Sequence, residues 1–370
     1  MNLTNRETKE RLIDTIALLA IHGIGRGRFR KLVQRFGSPG AVFSASKSDI
    51  ETVPGMSHAI ASAVRTGYDG DGAREIAARI VQLGWSALLT DDEEYPRSLR
   101  EAPDPPVILF RMGNPPPLDK RMIAVVGTRH ATENGRLFTH RLAGELAQAG
   151  IGIVSGMAEG IDSAAHRGAL DSNGMTIAVW GTSLDIVFPA SNRGLAREIR
   201  ERGTIYSEYF PGTHADVMTF PERNRIISGL SDGVVVVEAG ARSGALITAQ
   251  CALDQGRELF AIPGPPGTEK SRGTNELIKK GAKLLTDVED IFRELPRLKG
   301  EVTARRFKSR ADMSDIEMKM VDFLSDGPLQ IDQLSRMAEL PVSDLMGFLL
   351  ALELKGVVRE LSGKRFVLAD

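Results

Sequence analysis

Arg223, Asn224 and Arg225 stand side by side in the run FPERNRIISGL (residues 220–230), directly before the apolar stretch DGVVVVEAG. Two guanidiniums around an amide are a dense set of hydrogen-bond donors, and massed at a sheet edge they suit an anion such as phosphate. The same half of the chain holds three Gly-rich turns, GTRHATENG (127–135), SGMAEGID (155–162) and GARSGALITA (240–249). Glycines at the start of a helix leave backbone N–H groups free to cradle a phosphate. In an open α/β sheet such turns lie beyond the carboxyl ends of the strands, where ligands bind. One such turn alone reads equally well as a tight strand-to-helix connection. Several of them beside paired arginines point to an anion site.

Other polar groups carry weaker signals. Asp162 and His166 are four apart on a predicted helix, within reach of one another. No Ser or Cys nucleophile motif accompanies them, so the expectation is a structural hydrogen bond that fixes the SGMAEGID turn. Glu208 and Glu238 each close a predicted strand, and pairing with the pocket arginines is expected of them rather than metal binding. The turns FPASN and AIPGPPG read as changes of chain direction. Cys251, the only cysteine, sits in the helical pattern ALITAQCALDQG and reads as a small buried hydrophobe. The first strand-to-helix turn lacks GxGxxG spacing and no GxxxxGK[ST] loop occurs, so no nucleotide cofactor and no metal is expected.

The elements that must position these residues are legible as an alternation. Strand patterns RMIAVVG, GIVSG, TIAVWG, GTIYSE, GVVVVEA and ELFAIPG are separated by helical patterns such as GRLFTHRLAGELAQAG. Apolar strands alternating with helices predict an α/β fold, a Rossmann-like, mostly parallel sheet over residues 119–293. Before it, residues 1–66 predict a helical module with two helix-hairpin-helix-like Gly turns, the first carrying Arg26, Arg28, Arg30 and Lys31 for a phosphate backbone. Residues 67–118, acidic and rich in proline, predict an extended connector. Residues 294–312 predict a basic linker. Three helical patterns and a hairpin turning at Ser362 and Gly363 then predict a winged helix over 313–370.

Net charge is −1 over 370 residues, but it is unevenly spread. Residues 1–66 carry 10 basic against 5 acidic side chains, 67–119 carry 5 against 10, and the tail 311–370 carries 6 against 11. That distribution suits a local anion site rather than a surface that coats a polyanion. The N-terminal stretch is amphipathic and no apolar run spans a bilayer, so a cytoplasmic protein without membrane insertion is expected.

The stretches VVGTRHATENG, IVSGMAEGIDSAAHRGAL, TIAVWGTSLDIVFP, SEYFPG, FPERNRIISGLSDGVVVVEAGARSGALITA, FAIPG and GTNELIKKGA, in this order, resemble the DNA-processing protein A (DprA, also Smf) family of bacterial natural transformation. The resemblance implies a non-catalytic, DNA-binding Rossmann-like domain that holds and protects single-stranded DNA, dimerises and loads the recombinase RecA onto the strand. It implies a strand-binding set of Gly127, Thr128, Arg129, Ser155, Gly156, Phe220, Arg223, Asn224, Arg225, Ser243 and Gly244, with Arg129 as the essential cation and Phe220 stacked on a base. A homodimer is expected through Leu277, Ile278, Leu284 and Leu285. The competing reading is a nucleotide-processing enzyme of the phosphoribohydrolase (LOG-like) type. Its PGGxGTxxE signature would fall near VEAGARSGALITA, where Glu238 replaces the proline and the catalytic glutamate is missing. The acidic winged helix is expected to meet a protein partner or the basic segments rather than duplex DNA.

Overall fold

A computed structural model describes residues 6–298, 314–324, 327–354, 357–361 and 363–368. The chain divides into two compact units, 1–299 and 300–370. In the first, nine strands form one sheet: β1 (Ser86–Leu89), β2 (Ile108–Gly113), β3 (Met122–Val126), β4 (Gly152–Ser155), β5 (Thr176–Val179), β6 (Thr204–Ser207), β7 (Gly233–Val236), β8 (Glu258–Ala261) and β9 (Lys283–Leu284). Their order is β1-β2-β6-β5-β4-β3-β7-β8-β9. All neighbours from β6 to β9 are parallel, and β2 joins β6 and β1 antiparallel. The six predicted strands are β3–β8.

Burial explains the pattern. MIAVV of β3 and GVVV of β7 are buried throughout, as parallel strands covered on both faces must be. Successive side chains feed opposite faces: Ala178 and Ile205 join one apolar cluster, while Ile177, Val179 and Tyr206 join the other. Helices Glu133–Gln148 and Ile161–Asp171 approach so closely that a Cβ on Gly168 would come within 2.1 Å of the His140 carbonyl oxygen. Only glycine fits there.

Residues 67–118 correct the expectation of an extended connector. The helix Gly70–Gln82 packs on Arg6–Ala20, and β1 and β2 extend the sheet, with Leu89 paired to Ile108. The acidic run at 91–94 serves as a turn: Asp92 accepts the Leu89 N–H, Arg11 pairs with Asp91 and Asp92, and Arg111 pairs with Glu94 at 2.7 Å. The N-terminal helices share one apolar core with the sheet, Leu12, Ile16 and Ile80 clustering with Trp85, Phe110 and Trp180.

In the second unit, helix Asp315–Phe323 leads into β10 (Leu329–Gln330), helices Ile331–Ala338 and Val342–Leu354 follow, and β11 (Val358–Leu361) and β12 (Arg365–Leu368) complete a three-stranded antiparallel sheet of order β10-β12-β11. Leu334, Leu345, Leu349, Leu352 and Phe366 fill its core. This is the expected winged helix. Gly363, with φ +83°, and Lys364 take the left-handed conformations at its hairpin. Ser362, and most of the predicted linker 294–312, lie outside the described residues.

Candidate nucleic-acid interface

The sheet order reverses at β3, which runs on to β4 on one side and pairs with the later β7 on the other. Such a switch point opens a crevice at the carboxyl ends of the strands. The turns after β3, β4 and β7 meet there: the Thr128 N–H donates to the Glu238 carbonyl at 2.8 Å, and the Ile161 N–H to the Thr128 carbonyl at 3.3 Å. Gly160 has φ +80°, and a Cβ on it would come within 2.4 Å of the Thr128 carbonyl oxygen. The turn after β4 therefore lies directly against the turn after β3.

Several expected ligand contacts are instead internal. Ser155 is fully buried and its hydroxyl donates to the Val125 carbonyl at 2.6 Å, tying β4 to β3. The Gly156 N–H goes to Asp162, which also accepts the Ala158 N–H. Arg223 is 5% exposed, and its Nη1 donates to the Gly156 carbonyl at 2.6 Å and to the Val179 carbonyl. Those carbonyls end β4 and β5, so Arg223 pins two strand ends together. Burial, only partly offset by Asp162, pushes its guanidinium down to about 10. Ser155, Gly156 and Arg223 thus cannot reach a strand lying on the surface.

Arg225 is also committed. It pairs with Glu208 and lies 3.4 Å from Asp104. Burial pushes the Glu208 carboxyl up, against the opposing pull of Arg225 and Arg26. Arg26 reaches Asp104 at 3.0 Å, Glu208 at 3.5 Å and Glu222 at 3.6 Å, and Arg30 pairs with Asp104. Arg28 donates to the Gly23 and Gly55 carbonyls and Lys31 to the Pro54 carbonyl. The four cations of the first helical hairpin, expected on a phosphate backbone, therefore have partners inside the molecule. The pairing expected of Glu208 with a pocket arginine is present, its partner being Arg225. Glu238 instead accepts from the Thr132 N–H and hydroxyl, bracing the start of helix Glu133–Gln148.

Asp162 fixes its turn as expected, but through the Gly156 and Ala158 N–H groups rather than through His166. The His166 Nδ1 lies 2.7 Å from the Thr176 hydroxyl, which itself donates to the Ile153 carbonyl. A hydroxyl that donates to that carbonyl can also accept from an Nδ1–H of the ring. Burial, with Arg223 adding to it, pushes the His166 pKa down to about 3.

What remains at the surface is compact. Arg129 is exposed, and among the described residues it has no ion pair; its guanidinium sits 5.4 Å from the centre of the half-buried Phe220 ring. Gly127, Thr128, Asn224 and Ser243 are half-buried, and Gly244 is exposed, its carbonyl accepting from Asn224 at 3.3 Å. Sequence reasoning missed Phe188, 44% exposed, whose ring centre lies 5.4 Å from that of Phe220. It also missed the exposed Val217 and Met218 just before Phe220. The signal was present in FPASN: an aromatic on the turn region following β5, a position along the ligand-binding edge.

At the expected dimer surface, Leu284 is half exposed on edge strand β9, which pairs only with β8. Leu277 and Ile278 are half-buried, Leu277 packing on the main core. Leu285 is fully buried and belongs to the interior, so it is removed from that surface. Among the described residues no cluster of His, Cys, Asp or Glu could hold a metal, and no helix is long and apolar enough to cross a membrane.

Fold and site together define a protein with a Rossmann-like unit, carrying an exposed cation and aromatics at its switch point, and a separate winged-helix unit. The sequence profile of the DNA recombination-mediator protein A family matches residues 86–296, and that of the DprA winged helix domain matches 308–364. The chain belongs to this DprA/Smf family. It is 31% identical to Protein Smf of Synechocystis sp. over 389 residues, covering 95% of this chain and 97% of that protein. The X-ray structure of DNA processing protein A from Streptococcus pneumoniae matches with a TM-score of 0.67 at 35% identity, covering 76% of this chain and 97% of that one. The structure of DNA processing protein A from Helicobacter pylori, described for its single-stranded DNA binding mode, matches with a TM-score of 0.52 at 34% identity, covering 58% and 96%.

Proposed function

We propose that this protein binds single-stranded DNA at the switch-point crevice, without catalysis, and serves DNA processing in transformation and recombination. The carrying observation is Arg129, an exposed cation without an ion pair among the described residues, held against Phe220 at the carboxyl ends of β3 and β7. A phosphate on the guanidinium and a base on an adjacent aromatic make up the sequence-tolerant recognition of a single strand. The family and the strand-binding relative from H. pylori support this reading. Protection of the strand, loading of RecA onto it and a homodimer through β9 complete the proposal.

The test compares oligothymidine with a duplex of equal length in a binding titration, run beside a nucleotide-hydrolysis assay and a measurement of RecA filament growth on the strand. Selective binding without turnover, and faster filament nucleation, are the expected results. Turnover of a nucleotide would overturn the non-catalytic reading, and unchanged nucleation would overturn the loading role.

A further inference from the structure

Arg129 has no ion pair among the described residues, so beyond its contact with Phe220 its place is set by the backbone that carries it. That backbone rests on the turn after β4. A Cβ on Gly160 would come within 2.4 Å of the Thr128 carbonyl oxygen and 2.5 Å of the Arg129 carbonyl oxygen, so the two turns are packed together and neither shifts without the other. The turn after β4 is itself strained. Met157, fully buried, has φ +63°, a left-handed conformation that is unfavourable for a residue with a Cβ and persists only where the surroundings impose it.

Part of that hold comes from helix Ile161–Asp171, which follows the turn. Asp162 accepts the Gly156 and Ala158 N–H groups, and the Ser163 N–H and hydroxyl both donate to the Ala158 carbonyl, at 3.2 and 2.7 Å. From elsewhere in the chain come Arg223, on the Gly156 carbonyl, and Asn192, on the carbonyl of Met157 itself. Asn192 ends the short 3-10 helix Ala190–Asn192 in the segment after β5. Its Nδ2 donates to the Met157 carbonyl at 2.8 Å and to the Ser163 hydroxyl at 3.0 Å. A carbonyl can only accept, so the amide nitrogen and not the oxygen must face Met157.

We infer that Asn192 is a positioning residue for strand binding: it fixes Met157, and through it the Gly160 backbone against which the Arg129 turn rests. The inference rests on the single-strand reading above. Coupling of this kind is measured by a double-mutant cycle.

Asn192→Ala should weaken binding of oligothymidine about three- to tenfold and make the slope of log K against log salt less negative, by at most the roughly 0.7 that one phosphate contact carries. With Arg129 already removed there is no cation left to misplace. Arg129→Ala and Asn192→Ala together should therefore bind within about twofold of Arg129→Ala alone, with the same slope. A merely structural loss behaves otherwise: partial unfolding lowers the apparent affinity by one factor in both backgrounds and leaves the slope as it was. Ser163→Ala removes the other branch of the same network while leaving the Met157 contact in place, and carries the test where Asn192→Ala does not fold. It should couple to Arg129→Ala in the same sense.

If Asn192→Ala binds like the parent while Arg129→Ala shows its loss, this inference alone is wrong. Losses that multiply in the double variant also overturn it, because Asn192 then acts on the strand or on the fold independently of Arg129. A parent protein that binds no strand, or an Arg129→Ala variant that binds as the parent does, sinks the reading on which the inference rests and the inference with it.

Discussion

Arg223→Met decides whether the middle of FPERNR is a ligand or a pin. The methionine fills much of the same volume without charge or donors, so the Gly156 and Val179 carbonyls lose the buried Nη1 that both accept from. Leaving two buried acceptors unpaired costs about 1–3 kcal/mol each. Part is recovered because the variant no longer buries a guanidinium, whose depression to about 10 reflects that burial. The net loss is about 2–4 kcal/mol, or roughly 5–15 °C in melting temperature for a unit of this size. Thermal unfolding followed by circular dichroism, with strand affinity measured at a temperature where the variant is folded, reads both effects. A variant that keeps the parent melting temperature while losing strand affinity and salt dependence would refute the pin and make Arg223 a phosphate ligand.

The remaining predictions concern stability, assembly and the second unit. His166 is neutral when folded, its pKa pushed down to about 3 against about 6.5 unfolded, so the unfolded chain takes up a proton that the folded one does not as pH falls below 6.5. Stability should therefore be full above that value, and the parent should lose about 2 kcal/mol more than His166→Gln between pH 7 and pH 5; parallel urea-denaturation curves for the two would contradict this. Leu284→Asp, on the half-exposed edge strand, should give a monomer by light scattering at roughly tens of micromolar protein with little change in melting temperature, whereas a parent already monomeric at that concentration removes the dimer. Deleting residues 311–370, which carry 6 basic against 11 acidic side chains, should leave single-strand affinity within about a few-fold of the parent, about 1 kcal/mol, and a hundredfold loss would put the winged helix in the site.

The central sheet was legible because its strands are buried on both faces: runs such as MIAVV and GVVVV have no other stable home in a chain that alternates them with helices. Arg129 was legible too, through the turn GTRHATENG and the family resemblance that it carries. β1 and β2 were not, since SALL and ILFRMG are short and lie among prolines and the DDEE run, whose charges cap a turn and pair with Arg11 and Arg111. Nor does sequence show which way an arginine faces. Arg223, Arg225 and Arg26 have the composition of a phosphate pocket, and only the placement of the Gly156 and Val179 carbonyls, Asp104 and Glu208 turns them inward. Phe188 was passed over because FP reads as a turn, and its contact with Phe220 spans 32 positions of chain.

The salt dependence of single-strand binding by the parent and by Arg129→Ala tests the central claim most directly. Arg129 is exposed with no ion pair among the described residues, so its loss should leave the melting temperature unchanged. Fluorescence anisotropy of labelled oligothymidine over a series of salt concentrations should show at least about tenfold weaker binding, 1.4 kcal/mol, and a slope of log K against log salt less negative by about 0.7, one phosphate contact on a single strand. A variant that keeps both the parent affinity and the parent slope would place the strand somewhere other than the switch-point crevice.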